Sequence, residues 1–139
     1  MCIRDSHLTE RFAGLAPAPA SAERDRYLSL ITLLATTMYP AYHRQHHTRC
    51  YGFEDGFDGI KAKARETNDT LFDYLEDQLC PRLMGADVCA ADYYLYMLTR
   101  WEPHKDQMRD NRPKLAAFCD DMRSLAVVEE VLAKQPRRK

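Results

Sequence analysis

The sequence predicts an all-α protein, a helical bundle of about five helices. Apolar residues recur three and four positions apart over several long segments, which is the spacing of one face of an α-helix. Only 5 glycines occur among 139 residues, and alternating runs of β-branched residues are missing. The prolines fall mostly between the periodic segments, where helices end. A chain of this length can bury a core of its own as one domain.

The first long helix is predicted to begin after Ser21, a residue that caps helix N-termini well. Its apolar residues keep the helical period and are Tyr27, Leu30, Ile31, Leu34 and Met38. Pro40 has no N–H to donate to the carbonyl four residues earlier, so we expect a kink near Thr36 and Thr37. The helix could continue to about Arg49.

A second long helix is predicted from about Asp58 to just before Pro81. Its apolar stripe is Ile60, Ala64, Thr67, Leu71, Leu75 and Leu79. The other faces carry acidic and basic residues, namely Lys61, Lys63, Arg65, Glu66, Asp69, Asp73, Glu76 and Asp77. We interpret these charged faces as solvated surface, with a contact between two copies of the chain as the alternative.

Three further helices complete the predicted bundle. Residues 90–101 are apolar almost all round, which is typical of a helix at the centre of a bundle, and Ala91, Tyr94, Leu95 and Leu98 are predicted to face the core. A fourth helix has Pro113 in its first turn, a position where proline is well tolerated. Its inward residues are predicted to be Leu115, Phe118, Cys119 and Met122. Ser124 is predicted to cap a short last helix.

The composition excludes several classes of function. Lysine and arginine number 20 and aspartate and glutamate 21, so no overall field would attract nucleic acid or an anionic membrane. The longest apolar stretch, residues 27–42, is broken by polar residues and is too short to span a membrane. The five cysteines are scattered and form no C-x-x-C pattern, which indicates reduced thiols rather than a disulfide framework. We therefore expect a cytoplasmic protein that binds neither nucleic acid nor a membrane.

The first six residues, MCIRDS, fit neither a helical nor a strand period. They match the translation of a transposon-end sequencing adapter, so we interpret residues 1–6 as a scar and expect the natural chain to begin further upstream. Residues 7–20 are then predicted to be the end of one helix, HLTERF, followed by a stop at Gly14 and a proline-containing linker. The helical domain itself is predicted over residues 21–139.

The most informative local motif is GADVCAAD, residues 85–92. Cys89 stands at the N-cap position of the third helix and Asp92 stands three residues later. This is the spacing of a capping box, in which the carboxylate accepts from the backbone amide of the N-cap residue. A thiol is a weak acceptor, so the half of the box that depends on Cys89 should be weaker than usual. Both residues are expected to have a structural role.

This motif resembles the start of the central helix in the C-terminal helical domain of glutathione S-transferases, where a Ser or Thr caps the helix and an Ala-Asp pair follows. Three further segments are similar to that domain's helices, in the same order: LITLLATTMYPAYHR, YYLYMLTRW and NRPKLAAFCDDMRSLAVVEEVLAKQ. The resemblance covers residues 7–135. Two positions depart from the family pattern, because Cys89 replaces the usual Ser or Thr and Leu125 stands where a proline is common.

The resemblance implies a parent enzyme that transfers the thiolate of glutathione to an apolar electrophile and acts as a homodimer. In this family the glutathione site and the activating residue lie in an N-terminal thioredoxin-like domain, and the helical domain supplies the second wall. We therefore expect this chain to be the co-substrate-binding half, without catalytic residues or a resident cofactor, and inactive alone. The alternative is a non-catalytic interaction module, since the same helical domain serves that role in other proteins.

The stretch YPAYHRQHHTRC, residues 39–50, holds the candidate binding residues. Tyr39, Tyr42, His43 and His46 recur at helical spacing and share one helix face. By resemblance this part of the helix borders the co-substrate pocket. Trp101, at the end of the third predicted helix, is interpreted as packing in the core or in an interface, with lining of the pocket as the alternative. Aromatic rings and a neutral imidazole would pack against an apolar electrophile.

Two other interpretations of this stretch stay open. The histidines could simply lie at a solvated helix end, near the favourable negative end of the helix dipole. Alternatively, His43 with His47, or His46 with Cys50, has the four-residue spacing of two metal ligands on one helix face. The two pairs point about 60° apart around the helix and no third ligand is evident. A small metal-binding helical protein is therefore the weaker alternative.

Overall fold

The computed structural model describes residues 7, 9, 11, 12 and 14–135. Within residues 14–135 the α-helices are α1 Ala22–Leu33, α2 Tyr39–His46, α3 Phe57–Gln78, α4 Ala90–Thr99, α5 Lys105–Asp110, α6 Pro113–Ser124 and α7 Ala126–Lys134. These residues form no β-strand, only an isolated bridge between Arg82 and Gly85. The all-α prediction is confirmed.

The predicted helix end at residues 7–12 is described only in part. His7, Thr9 and Arg11 are helical. Leu8 and the proposed scar at residues 1–6 lie outside the described residues.

A π-helical segment, Leu34–Met38, joins α1 to α2 at the position of the predicted kink. The amide of Tyr39 donates to the carbonyl of Leu34, five residues back instead of four. Pro40 lies in the next turn and cannot donate, so the wider turn accommodates the lost hydrogen bond. The helix is thus irregular where the kink is predicted, and α2 ends at His46 rather than near Arg49 because the backbone of His47 leaves the helical region (φ −123°, ψ 44°).

Helix α3 packs along α2. Its buried residues are Ala64, Asn68, Phe72 and Leu75. The predicted stripe is therefore only partly right, since Thr67 and Leu71 are half-buried and the face next to them holds the core contacts. The buried face includes the polar residue Asn68, which interrupts its apolar pattern in the sequence. The neighbouring face with Thr67 and Leu71 was therefore predicted to be the buried one.

Acidic side chains of α3 hold the start of α6. The carboxylate of Glu76 accepts hydrogen bonds from the backbone amides of Lys114 and Leu115, at 2.9 and 2.7 Å. The guanidinium of Arg112 donates to Asp73 at 2.8 Å. These amides would otherwise lack acceptors at a helix N-terminus, so the half-buried Glu76 is more than solvated surface. Asp73 remains 71% exposed, as the interpretation of this face as solvated surface predicts.

Helix α4 lies at the centre, against α1, the π-helical segment and α6. Its buried residues include the predicted Ala91, Tyr94, Leu95 and Leu98, and α6 buries the predicted Leu115, Phe118, Cys119 and Met122. The predicted Ser124 cap is wrong. Ser124 ends α6, where its hydroxyl donates to the Asp121 carbonyl at 2.7 Å, and Leu125 occupies the cap position of α7. No helix in the described part of the chain is long and apolar enough to cross a membrane.

Candidate functional site

A buried carboxylate fixes the start of α4, the helix whose other end carries Trp101. Asp92 is fully buried. Its Oδ2 accepts from the amide of Cys89 at 2.9 Å and its Oδ1 from the amide of Leu83 at 3.0 Å. Both halves of the capping box are present. One side chain thus joins the preceding loop, the cap and the first turn, which sets the position of the whole helix.

Burial raises the pKa of the Cys89 thiol to about 12, and the Asp92 carboxylate acts in the same direction. Burial also raises the pKa of Cys119. Because the folded state favours the protonated thiol of Cys89, its contribution to stability is fully present below the ordinary pKa of 9.0 and is lost as the pH rises through about 12. At neutral pH both thiols are protonated and poor nucleophiles.

We expect iodoacetamide at about pH 8 to separate the four cysteines that the structure describes into two groups. Cys50 and Cys80 are exposed and should be alkylated, whereas Cys89 and Cys119 are buried and should react only after denaturation. Peptide mass spectrometry of native and urea-treated samples measures the labelling. Native labelling of Cys89 at the rate of Cys50 would contradict this assignment.

Four of the five candidate binding residues form one group around Trp101, which follows α4. The Trp101 ring lies 5.5 Å from the ring of Tyr39 and 6.2 Å, edge-on, from that of Tyr42. His46 stacks on Tyr42 at 6.0 Å, and its Nε2 lies 3.3 Å from the Trp101 carbonyl oxygen. We call Tyr39, Tyr42, His46 and Trp101 the aromatic cluster.

The members of the aromatic cluster differ in their exposure to solvent. Tyr42 is fully buried, whereas Tyr39 is half-buried, His46 is exposed and Trp101 is 39% exposed. The exposed rings therefore lie over a buried one. This arrangement presents an apolar aromatic surface with one imidazole beside it, on which a flat apolar ligand could stack.

Glu102 contacts the buried member of the aromatic cluster, Tyr42. Glu102 was not identified from the sequence as a residue of the site. It is buried, and its Oε2 accepts from the hydroxyl of Tyr42 at 3.0 Å. Its Oε1 accepts from the amide of His104 at 3.0 Å. Burial, followed by the Glu102 charge, raises the pKa of Tyr42 far above its ordinary value, so the phenol stays neutral and donates. A single acidic residue at the end of a helix carries no periodic signal that sequence reasoning could use.

His43 does not join the aromatic cluster, although the helical spacing placed it on the same face. Its Nδ1 lies 2.8 Å from the hydroxyl of Tyr51, and its ring is 4.6 Å from that of His47. The loop after α2 folds back to bring Tyr51 to it. The contacts of His43 are thus with the end of α2 and the following loop.

The structure offers no support for the metal-binding alternative. Among the residues that it describes, no three His, Cys, Asp or Glu side chains come together as ligands of a metal ion. His43 and His47 are neighbours, but a stable site for a metal such as zinc needs three or four protein ligands.

A separate cavity of about 270 Å³ opens between the start of α1 and the loop after α3. Its walls include Arg26, Arg82 and Cys80. Arg26 is held there by the carbonyls of Gln78 and Leu83, at 3.2 and 3.3 Å. No member of the aromatic cluster lines this cavity, so the two features are distinct.

Comparison with known proteins places this geometry in context. No protein-family model matches the chain. An uncharacterised GST-like protein of Escherichia coli strain K12, YncG, is 26% identical over 125 residues, which are 88% of this chain and 60% of that protein. A glutathione transferase homologue from Sulfitobacter, solved with bound glutathione, is 25% identical with a TM-score of 0.76, covering 93% of this chain and 70% of that one. BphK, a bacterial GST solved in a ternary complex, is 21% identical with a TM-score of 0.78, covering 92% and 63% of the two chains.

Proposed function

We propose, from the finding that this chain is related to the glutathione S-transferases and folds as their C-terminal helical domain, that its aromatic cluster binds the apolar co-substrate of such an enzyme. The observation that carries the proposal is the meeting of Trp101, which follows α4, with Tyr39 and His46 of α2. The chain spans 60% of the length of its curated relative, so the activity of the whole enzyme is part of the proposal.

The exposed faces of Trp101 and Tyr39 favour a flat, aromatic electrophile as the ligand. Offset or edge-to-face stacking on such rings adds about 0.5–1.5 kcal/mol beyond the burial of apolar area. Tyr42 stays neutral beneath them, so it places no charge next to the ligand. The His46 imidazole can hydrogen-bond a polar substituent at the edge of the ring.

In the proposed enzyme this domain holds the electrophile, and glutathione is bound and activated elsewhere. The sulfur–carbon bond forms as the thiolate attacks the electrophile and the leaving group departs. In this proposal the residues that activate the sulfur belong to a thioredoxin-like domain and not to the aromatic cluster. We therefore expect the 139-residue polypeptide alone not to conjugate glutathione to chlorodinitrobenzene. A homodimer formed through the first long helices and a cytoplasmic location belong to the same proposal.

Trp101 is the single tryptophan of the chain, and its fluorescence therefore reports binding at the site. We expect dinitrobenzene, an unreactive analogue of an aryl halide, to quench this fluorescence with a saturable curve. Tyr39→Ala should weaken the binding about five-fold, which corresponds to about 1 kcal/mol for one lost aromatic contact. Tyr74→Ala is the matched control, since Tyr74 is an exposed tyrosine of α3 outside the aromatic cluster.

Quenching that rises linearly, as for free tryptophan, would overturn the proposed site. An equal loss of affinity in Tyr39→Ala and Tyr74→Ala would do the same. The alternative, a non-catalytic interaction module, predicts linear quenching for the native chain as well.

A further inference from the structure

The segment that carries Trp101 is anchored largely from α2. Its backbone is held by the last turn of α4: the amides of Trp101 and Glu102 donate to carbonyl oxygens of that turn, at 3.0 and 3.3 Å. Pro103 follows and has no N–H, so the helix cannot continue. From α2 come the ring of Tyr39, the imidazole of His46 and the hydroxyl of Tyr42. The distance between α2 and Trp101 therefore depends on side-chain contacts.

The hydroxyl of Tyr42 contacts the carboxylate of Glu102, which is a buried acidic group. It is 7% exposed, and each of its oxygens accepts one hydrogen bond, from Tyr42 and from the amide of His104. Hydrogen bonds to an ionised acceptor are stronger than those between neutral groups, and a buried carboxylate depends on having them. The Glu102 side chain thus joins α2 to the turn that follows α4.

Glu102 has little room to contact a ligand itself. The cleft that it lines together with Arg65 and Met108 holds only about 10 Å³ of free space. That is about the space of one water molecule. The carboxylate can therefore act on a bound ligand only through the residues that it holds.

We propose that Glu102 is a positioning residue of the candidate site, which holds Tyr42 and the His104 amide and thereby keeps Trp101 edge-on to Tyr42, with its exposed face available to the ligand. The inference rests on the proposed function, since it assigns the residue that sets the geometry of the same site.

Four variants test this role in the full 139-residue chain. Glu102→Ala removes both acceptors, Glu102→Gln keeps a side chain that can hydrogen-bond both partners, and Tyr42→Phe removes only the hydroxyl. Glu54→Ala is the control, because Glu54 is an exposed glutamate outside the site. For each variant we would record the Trp101 emission maximum, the Kd for dinitrobenzene from quenching, and the far-ultraviolet circular dichroism.

We expect Glu102→Ala to shift the Trp101 emission to longer wavelength and to raise the Kd about ten-fold, with helical circular dichroism unchanged. Glu102→Gln should recover most of this loss, since a role that needs only the two hydrogen bonds does not need the charge. Tyr42→Phe should shift the emission in the same direction as Glu102→Ala. The double variant of Tyr42→Phe with Glu102→Ala should bind no more weakly than Glu102→Ala alone, because both changes remove the same contact.

The outcomes separate the two proposals. If the native chain shows no saturable quenching, the proposed function fails. If the native chain binds and Glu102→Ala has the same emission and Kd, the positioning role is wrong and the site stands. Should Glu102→Ala fail to fold, Tyr42→Phe decides the matter, since it keeps the buried ring. Native emission and native Kd in Tyr42→Phe would then overturn the inference.

Discussion

We expect Asp92→Ala to lower the free energy of unfolding by about 3 kcal/mol, the largest effect among the substitutions considered. The carboxylate is fully buried and serves the amides of Leu83 and Cys89. Without it both donors stay buried and unpaired, at a cost of about 1–3 kcal/mol each. Urea unfolding followed by circular dichroism measures the change.

Asp87→Ala is the control for this prediction, because Asp87 lies in the same loop with its side chain exposed. It should change the free energy of unfolding by less than about 0.5 kcal/mol. Asp92→Asn should fall between the two, since its amide has one acceptor oxygen for two donors. Coincident unfolding curves for Asp92→Ala and the native chain would show that the capping contact contributes nothing to stability.

The second large effect is expected for Arg112→Ala, at about 2 kcal/mol. The Arg112 side chain is 7% exposed, lies over the ring of Phe72 at 5.6 Å and donates to the carbonyl of Asp69 at 3.2 Å. Its carboxylate partner Asp73 is 71% exposed, so solvent weakens the ion pair. Most of the loss therefore comes from the buried stem of the side chain and the carbonyl hydrogen bond.

Arg109→Ala supplies the matched control for Arg112→Ala. Arg109 pairs with Asp120 at 2.7 Å, but on the surface of the bundle. Its removal should cost less than about 0.5 kcal/mol. Thermal unfolding of the two variants in parallel compares a buried and an exposed arginine of the same domain. Equal melting temperatures would contradict the stabilising role assigned to Arg112.

Several features could be predicted because they depend on residues close together in the chain. The helical period identified the buried faces of α4 and α6. Pro40 predicted an irregular turn where the π-helical segment lies, since the carbonyl to which Pro40 cannot donate lies four residues earlier. The capping box of Cys89 and Asp92 lies within one helical turn. On α2, the same periodicity grouped Tyr39, Tyr42 and His46, together with His43.

The rest depended on which helices pack together. Glu102 meets Tyr42 across 60 positions of the chain, and Glu76 reaches the amide of Lys114 across 38. Neither acidic residue belongs to a periodic pattern from which its hydrogen-bond partner could be predicted. The contact of His43 with Tyr51 could not be predicted either, because the loop that brings Tyr51 to His43 has no helical period. The sequence by itself determined the helices and their apolar faces, because local spacing governs both. Only the tertiary structure decided which charged and polar side chains became buried, because that depends on partners distant in the chain.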